Sequence, residues 1–392
     1  MLPFARKIIV ALTFLVPLAA NADPIQYIIT ALPPGVEPLA INNSGAIAGE
    51  LFAGAVQTQA FVMQPGGPIV GIGTQPGGYL PSGSTVANSI NNSGQVAGSI
   101  TTTYGAADTC TTYNCGFIYS NGGLQVFTSG YPGTLATSIN DSGVVAGTTN
   151  NGVNNGAYTY SNGQFQYLGT LPGDFSSYAY GINNSGEVVG DSNSSDAEHA
   201  FLYADGTMQS IGTLPGDTNS YAYGINNLGQ VVGTSFAANP SLSSAFIYDS
   251  STGQMTALGY LPGSTSTGDQ RPEGINDSGE VVGYDLLASG GGAFLYSDGS
   301  MYNLNGLLAN ESGQGWDLQY ATGINASGDI VGYGTFDGVS EGFILMLETP
   351  EPNARMICLV LALLIASVHR ARLRKRAVAL RAAIMPSGGG SL

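Results

Sequence analysis

The central part of this sequence has almost no basic residues. Of the 10 Lys and Arg residues in the 392-residue chain, only Arg271 lies between residues 23 and 348, where 25 acidic residues set the net charge at −24. Proteins that bind nucleic acid neutralise phosphates with clusters of Lys and Arg. This composition therefore excludes nucleic acid as a partner. It favours solubility through like-charge repulsion, and weak calcium binding is the alternative interpretation of the acidic surface.

Side chains that commonly carry catalysis are also scarce. The chain has two histidines, and His199 is the only one in the central part. A Ser–His or Cys–His nucleophile would depend on His199 alone, and that residue opens a strand at a repeat position. The sequence has no histidine pair and no Cys-x-x-Cys for zinc or iron. We therefore predict no catalytic residues, no metal centre and no cofactor.

The three cysteines indicate one covalent crosslink. Cys110 and Cys115 lie close together in a chain that we expect to be exported, where oxidation is permitted, so we predict a small disulfide-closed loop. The alternative, a metal site, lacks further ligands. Cys358 lies in an apolar tail, and we predict that it serves there as a small apolar residue.

The N-terminus has the pattern of a secretory signal. Arg6 and Lys7 precede the apolar stretch 8–18, and Ala20-Asn21-Ala22 provides a small-x-small cleavage site. We therefore predict a signal peptide over residues 1–22 and export across the inner membrane.

The C-terminus carries a second apolar segment. The run 356–368 has 13 uncharged residues, about 20 Å as a helix, and a basic cluster follows at 370–376. Snorkelling Arg355 and Arg370 would bring this helix close to spanning a bilayer, with the basic side cytoplasmic. We predict a hydrophobic membrane helix within residues 349–376 and a cytoplasmic tail over 377–392. A permanent anchor and a transient sorting signal both fit this length.

A motif of the form Ile-Asn-x-x-Gly-x-φ-φ-Gly, where φ is Val, Ile or Ala, occurs seven times. Its asparagines follow one another at intervals of 43 to 50 residues: Asn42, Asn91, Asn140, Asn183, Asn226, Asn276 and Asn325. Asn and Asp begin turns, and Gly supplies the positive φ that ends a hairpin loop. The apolar pair that follows, such as Val188-Val189, is typical of a strand buried on both faces.

A second hairpin follows each motif. Its first strand begins with a small residue and an aromatic one, as at Ala200-Phe201, and an Asp-Gly or Asn-Gly turn leads to an outer strand. Four strands in 43 to 50 residues is the size of a propeller blade. An open β-array and a pair of β-sandwiches are the alternatives.

The two ends of the repeat region complement each other. Residues 25–35 resemble only the last strand of a unit, and residues 342–347 supply only the third strand. The N-terminal strand can therefore complete the seventh unit and cover both sheet edges. We predict an all-β, seven-bladed β-propeller over residues 23–348, closed by the N-terminal strand.

The repeat, with His199-Ala200-Phe201 after one copy, resembles the extracellular HAF repeat family of bacteria over most of residues 25–347. The segment containing Pro350, Glu351 and Pro352, with the apolar run and Arg cluster behind it, resembles the PEP-CTERM sorting signal. That resemblance implies an exosortase-type processing protease as a partner, in bacteria that make extracellular polysaccharide. The chain continues over residues 377–392, beyond the point where such signals usually end.

Tyrosines mark a candidate ligand surface. Tyr178, Tyr221 and Tyr320 occupy matching positions on the strands that enter the motif, and Trp316 lies in a long insert. Aromatic faces at a channel mouth suit sugars; packing between blades is the alternative.

We therefore expect a non-catalytic cell-surface or extracellular-matrix binding protein, membrane-anchored as a precursor, with extracellular polysaccharide as a partner. The alternative is a secreted glycan hydrolase that uses carboxylates near the repeat-breaking segments, such as Glu273 and Asp317.

Overall fold

The computed structural model describes residues 25–52, 58–73, 83–102, 114–131, 133–150, 154–237, 243–262, 269–286 and 292–348. Its strands belong to one compact unit that ends at Leu347. The predicted signal peptide, the C-terminal helix, the sorting signal with its tail, and Cys110 lie outside the described residues.

The described chain forms 28 strands. In chain order they are β1 (Tyr27–Ala31), β2 (Val36–Ile41), β3 (Ile47–Phe52), β4 (Thr58–Met63), β5 (Ile69–Gly71), β6 (Gly83–Ile90), β7 (Val96–Thr102), β8 (Asn114–Ser120), β9 (Gly123–Phe127), β10 (Leu135–Ile139), β11 (Val145–Asn150), β12 (Asn155–Ser161), β13 (Gln164–Gly169), β14 (Ser176–Ile182), β15 (Val188–Asn193), β16 (Glu198–Ala204), β17 (Thr207–Ser210), β18 (Asn219–Ile225), β19 (Gln230–Phe236), β20 (Ser244–Asp249), β21 (Gln254–Ala257), β22 (Asp269–Ile275), β23 (Val281–Leu286), β24 (Gly292–Ser297), β25 (Ser300–Asn303), β26 (Trp316–Ile324), β27 (Ile330–Phe336) and β28 (Val339–Leu347). Two 3₁₀ helices, Leu304–Leu307 and Asn310–Gly313, lie between β25 and β26. Among the described residues no helix has the length and apolar character needed to cross a membrane.

The strands form seven four-stranded antiparallel sheets, which are the blades of a β-propeller. Blade 1 has the order β2-β3-β4-β5, and blades 2 to 6 repeat this order through β25. The first strand of each blade is innermost, because residues of all seven first strands line one central channel. The seven-bladed propeller predicted from the repeat is confirmed.

Blade 7 combines the two ends of the propeller. Its order is β26-β27-β28-β1, and β1 pairs antiparallel with β28 from Tyr27 opposite Leu347 to Ala31 opposite Phe343. Tyr27 is 1% exposed and packs with Leu304 and Leu345. The N-terminal strand therefore closes the propeller as predicted, because it pairs with β28 and supplies the outermost strand of blade 7.

The core lies between adjacent blades. One cluster joins Val189 and Ala200 of blade 4 to Ala222, Val231 and Phe246 of blade 5. The aromatic residue of each small–aromatic pair is at most 1% exposed: Phe61, Phe117, Tyr158, Phe201, Phe246, Phe294 and Phe343. Burying one such ring stabilises the fold by about 1.5–3 kcal/mol, so the seven aromatic residues contribute much of the contact between blades.

The turn chemistry of the motif is also as predicted. Gly186 has φ +82°, and Asp205 and Gly206 of the second hairpin have φ +51° and +79°. A two-residue hairpin turn with positive φ at both positions matches the twist of its strands.

The motif asparagines shape their own turns and also link adjacent blades by hydrogen bonds. The Asn183 side chain accepts bonds from the amides of Ser185 and Glu187, and so builds its own turn. Its amide also donates to the carbonyl of Asn226 in the next blade, at 3.1 Å. Every blade repeats this contact, and at 3–5% exposure the asparagines are buried.

Candidate functional site

Each innermost strand has a β-bulge two residues before the motif isoleucine. In β14 the register skips Tyr180, between Ala179 and Gly181, and the same skip occurs in the other six inner strands. Bulges re-aim side chains and are common next to functional sites. The skipped residues all line or adjoin the channel: Leu39, Asn88, Thr137, Tyr180, Tyr223, Glu273 and Thr322.

The second glycine of the motif makes this geometry possible. A Cβ on Gly190 would overlap the backbone carbonyl oxygen of Tyr178 on the neighbouring inner strand. Only glycine permits that close approach. The glycine therefore determines where the strand bearing Tyr178 and Tyr180 lies.

In three blades the bulge residue is tied to the next blade. Asn88 donates to the carbonyl of Ala136 at 2.7 Å, and Thr137 donates to that of Ala179 at 2.9 Å. Thr322 repeats the contact in blade 7. Leu39 of blade 1 cannot donate such a bond. The consecutive blades 4, 5 and 6 carry Tyr180, Tyr223 and Glu273, so the repeat breaks over a continuous side of the channel.

A cleft opens where the repeat breaks. We call it the tyrosine cleft; its volume is about 360 Å³, and its lining residues are Tyr178, Tyr180, Asp191, Asn193, Glu198, Tyr221, Tyr223 and Arg271. The ring centroid of Tyr223 lies 5.7 Å from that of Tyr180 and 6.0 Å from that of Tyr221. The cleft thus combines half-buried aromatic faces with carboxylate, amide and guanidinium groups from blades 4, 5 and 6.

Asp191 is the most deeply buried charged group of the cleft. This residue is on β15 and is 1% exposed, and within the part of the chain that the structure describes its Oδ1 atom has no hydrogen-bond partner. Burial raises the pKa of Asp191 to about 7, and the nearby charge of Glu198 acts in the same direction, while hydrogen bonds from Tyr180 and Asn193 partly oppose the shift. This carboxyl therefore changes charge near neutral pH.

The tyrosine hydroxyls are held by polar neighbours. Tyr221 donates to the Glu198 carboxylate, and Asn155 donates to the hydroxyl of Tyr178. Burial raises the pKa of Tyr180 and of Tyr221, and it raises the pKa of Tyr223 to about 12. The three hydroxyls therefore stay neutral at physiological pH.

Arg271 lies over one wall of the cleft. Its guanidinium carbon is 4.3 Å from the ring centroid of Tyr223, and its Nε lies 2.8 Å from Oε1 of Glu273. Burial raises the pKa of Glu273 to about 6, although the Arg271 charge opposes the rise. Arg271 and Glu273 therefore form an ion pair beside the cleft.

The structure divides the aromatic residues predicted to form a ligand surface. Tyr178 and Tyr221 line the tyrosine cleft. Tyr320 lies farther round the channel, with its ring centroid 4.6 Å from that of Tyr333. Trp316 packs against the rings of Phe336, at 5.3 Å, and Phe343, at 6.0 Å, in the core of blade 7.

The carboxylates considered for hydrolysis lie in different places. Two further aspartates follow Pro-Gly turns of neighbouring units and are bound elsewhere: Asp174 contacts His199 at 3.4 Å, and Asp217 accepts a bond from Ser235 at 2.7 Å. Asp317 is exposed next to Gln319. Of the candidates, Glu273 alone approaches the cleft, through its ion pair with Arg271.

Sequence reasoning missed Asp191 and Glu198. A signal for Asp191 was present, because an acidic residue directly follows the buried Val188-Val189-Gly190 segment. At that register the neighbouring blades carry the uncharged Thr148 and Thr234.

Two further predictions concern a disulfide bond and a metal site. Cys115 is fully buried and disulfide-bonded, but Cys110 lies outside the described residues, so their pairing stays a prediction. In the part of the chain that the structure describes, no three His, Cys, Asp or Glu side chains are arranged to hold a metal ion.

Comparison with solved structures finds other propellers. A prolyl endopeptidase structure shares 10% identity, covers 83% of this chain and 50% of its own, and has a TM-score of 0.50. TolB from Acinetobacter baumannii shares 16% identity, covering 66% of this chain and 63% of its own, with a TM-score of 0.47. The β-propeller domain of the Trilobed protease from Pyrococcus furiosus shares 12% identity, covering 68% of this chain and 80% of its own, with a TM-score of 0.43. The chain therefore spans less than two thirds of TolB and half of the endopeptidase.

These likenesses concern the fold alone. No family model matches the chain, and no curated protein sequence matches it. The class that the structure defines is a seven-bladed β-propeller with a tyrosine-lined cleft at one end of its channel.

Proposed function

We propose that this protein is an exported, non-catalytic cell-surface or matrix protein that binds extracellular polysaccharide in the tyrosine cleft. One observation carries the proposal. Blades 4 and 5 place Tyr178, Tyr180, Tyr221 and Tyr223 in one cleft, at the place where the ties between blades are replaced.

The chemistry of the cleft suits a sugar. A pyranose has apolar C–H faces and a rim of hydroxyl groups, and tyrosine offers an aromatic face together with a polar tip. Glu198 and Asn193 supply acceptors for hydroxyl groups, and Arg271 supplies donors. A mostly preformed concave surface with a few polar groups is the usual form of a small-ligand site.

Export and surface retention are part of the same proposal. They rest on the signal pattern of residues 1–22 and on the sorting pattern around Pro350, Glu351 and Pro352. Replacing Glu351 with Ala and following the cleaved product tests the exosortase-type protease as a partner. Unchanged processing would argue against that partner.

A glycan array probed with the full-length protein tests polysaccharide binding. We expect defined glycans to be retained, and the Tyr180→Ala and Tyr223→Ala variants to lose at least about tenfold in affinity, near 1.4 kcal/mol. Tyr167→Ala is the matched control, because Tyr167 is 52% exposed on the outermost strand of blade 3. Equal binding by all three variants would contradict the assignment of the cleft.

A carboxylate-dependent glycan hydrolase is the second candidate function. The observation that favours it is Asp191, whose pKa is raised to about 7, with Glu198 in the same cleft. Glycosidases use one protonated and one ionised carboxyl. Release of new reducing ends from the bound glycans, abolished by Asp191→Asn, would establish hydrolysis and overturn the non-catalytic proposal.

A further inference from the structure

The charges of the tyrosine cleft do not balance. Asp191 and Glu198 are both acidic, while the guanidinium of Arg271 is already paired with Glu273. Arg271 is the only Lys or Arg between residues 23 and 348, so this segment offers no second lysine or arginine to either carboxylate. His199, the one other candidate cation there, contacts Asp174 instead.

One of these carboxylates is buried and has an unsatisfied hydrogen-bond acceptor. Asp191 is 1% exposed, lines the cleft, and has one oxygen with no hydrogen-bond partner among the described residues. Leaving a buried acceptor unpaired destabilises the fold, and more so when the acceptor is charged. A ligand that brings a charged donor to this oxygen would recover that energy.

The aromatic walls suit the same kind of donor. Tyrosine faces attract cations that lie within about 6 Å of the ring centroid. The structure contains an example, because the guanidinium of Arg271 sits 4.3 Å from the centre of Tyr223 and next to the Glu273 carboxylate. The rings of Tyr180 and Tyr221 and the carboxylates of Asp191 and Glu198 line the same cleft, so it offers a cation both aromatic rings and acidic groups.

We propose that the tyrosine cleft binds a cationic glycan, a chain of amino sugars with free amines, and that one ammonium group lies between the tyrosine rings and the carboxylates of Asp191 and Glu198. This inference rests on the proposed glycan binding and specifies the ligand's charge. A neutral glycan leaves both carboxylates without a cation, and an acidic glycan meets a body of net charge −24.

Two oligosaccharides of the same length and linkage, one with free amines and one N-acetylated, test the proposal. The probes are the tetramer of β-1,4-linked glucosamine and the tetramer of β-1,4-linked N-acetylglucosamine, in which acetylation removes the ammonium. Titration calorimetry with the full-length protein at about pH 7, where amines still carry charge and about half of Asp191 is ionised, should show the glucosamine tetramer binding at least about tenfold more tightly. Raising the salt to about 0.5 M should weaken the glucosamine tetramer far more than the acetylated one.

Three variants assign the effect to the cleft. Asp191→Asn and Glu198→Gln keep the size of each side chain and should each reduce the preference for the glucosamine tetramer by about fivefold or more. Asp277→Asn is the control. It also removes one negative charge, but it lies at the opposite end of the inner strands, where four other blades carry asparagine: Asn43, Asn92, Asn184 and Asn227.

The outcomes separate this inference from the proposed function. If the acetylated tetramer binds as tightly as the glucosamine tetramer, the inference is wrong and glycan binding stands. If neither tetramer binds, the inference is wrong, and the glycan array decides the proposed function independently. The inference is also wrong if both Asp191→Asn and Glu198→Gln keep the preference for the glucosamine tetramer, because other residues then bind the ammonium group.

Discussion

The side-chain amide of Asn325 in blade 7 donates a hydrogen bond to the backbone carbonyl of Asn42 in blade 1, at 3.3 Å. This bond joins residues 283 positions apart and completes a ring of seven equivalent bonds, one from each motif asparagine to the next blade. The turn motif therefore fastens the blades together at one end of the channel, as well as shaping each hairpin.

Asn183→Asp tests the ring with almost no change in shape. The aspartate cannot donate to the carbonyl of Asn226, and it would face the Glu187 carboxylate that now accepts from Asn183 at 2.6 Å. We expect a loss of about 3 kcal/mol or more in the free energy of unfolding, measured by denaturant titration.

The matched control for this change is Asn43→Asp. Position 43 is the next residue of the motif, where Asp141 and Asp277 occur naturally in other blades. We expect a change within about 0.5 kcal/mol. Equal losses in the two variants would show that the ring is not what stabilises the propeller.

Ala326 interrupts a second ring of bonds. In six blades, the backbone amide after the motif asparagine donates to the side chain at the equivalent position of the next blade, as from Asn227 to Asp277 at 2.9 Å. Ala326 gives the amide of Asp277 no such acceptor. We expect Ala326→Asn to stabilise the protein by about 0.5–1 kcal/mol, measured by thermal unfolding, and Ala326→Val to give no gain.

Gly190→Ala should disrupt both the blade and the cleft. The new Cβ would overlap the carbonyl oxygen of Tyr178, and that contact is to rigid backbone. We expect a loss of about 3 kcal/mol or more in stability and the loss of glycan binding. Gly156→Ala on β12 is the control, since its Cβ would meet nothing within 4 Å. A stable Gly190→Ala protein would contradict the close approach.

Asp191 should make the stability of the protein depend on pH. Burial raises its pKa from an ordinary 3.8 to about 7, so between these values the folded state binds more protons than the unfolded chain. Stability contributed by this group is therefore present at low pH and falls as the pH rises to about 7.

Asp191→Asn removes this loss. Relative to the parent protein, we expect the variant to gain on the order of 2–4 kcal/mol at about pH 8 and little at about pH 4, measured by unfolding across that range. A smaller fall remains in the variant, because Glu273 has a pKa raised to about 6. Parallel profiles for the two proteins would contradict the buried, unpaired carboxylate.

Tyr27 should report on propeller closure. It is 1% exposed on β1, the strand that completes blade 7, and its neighbour Ile28 is 43% exposed. We expect Tyr27→Ala to cost about 3–5 kcal/mol, and Ile28→Ala well under 1 kcal/mol, in chemical denaturation. Similar small effects would show that the N-terminal strand adds little to closure.

The architecture of this propeller could be predicted from the amino-acid sequence. Seven motif copies, their turn residues and the complementary ends predicted seven blades and the N-terminal strand that closes them. Such features are local: the positive φ of Gly186 and the burial of Val188 and Val189 follow from short segments repeated along the chain. A periodic signal of this kind predicts strands and turns wherever it recurs.

Which side chains share a site could not be predicted in this way, because it depends on how the blades pack together. Asp191, Tyr223 and Arg271 come from three blades and meet because the inner strands converge on one channel. Trp316 and Tyr178 looked alike as candidate ligand residues, yet Trp316 packs in the core of blade 7 and Tyr178 faces the cleft. The β-bulges and the angle between blades determine where these side chains point. Neither can be predicted from the hydrophobic pattern of a single repeat.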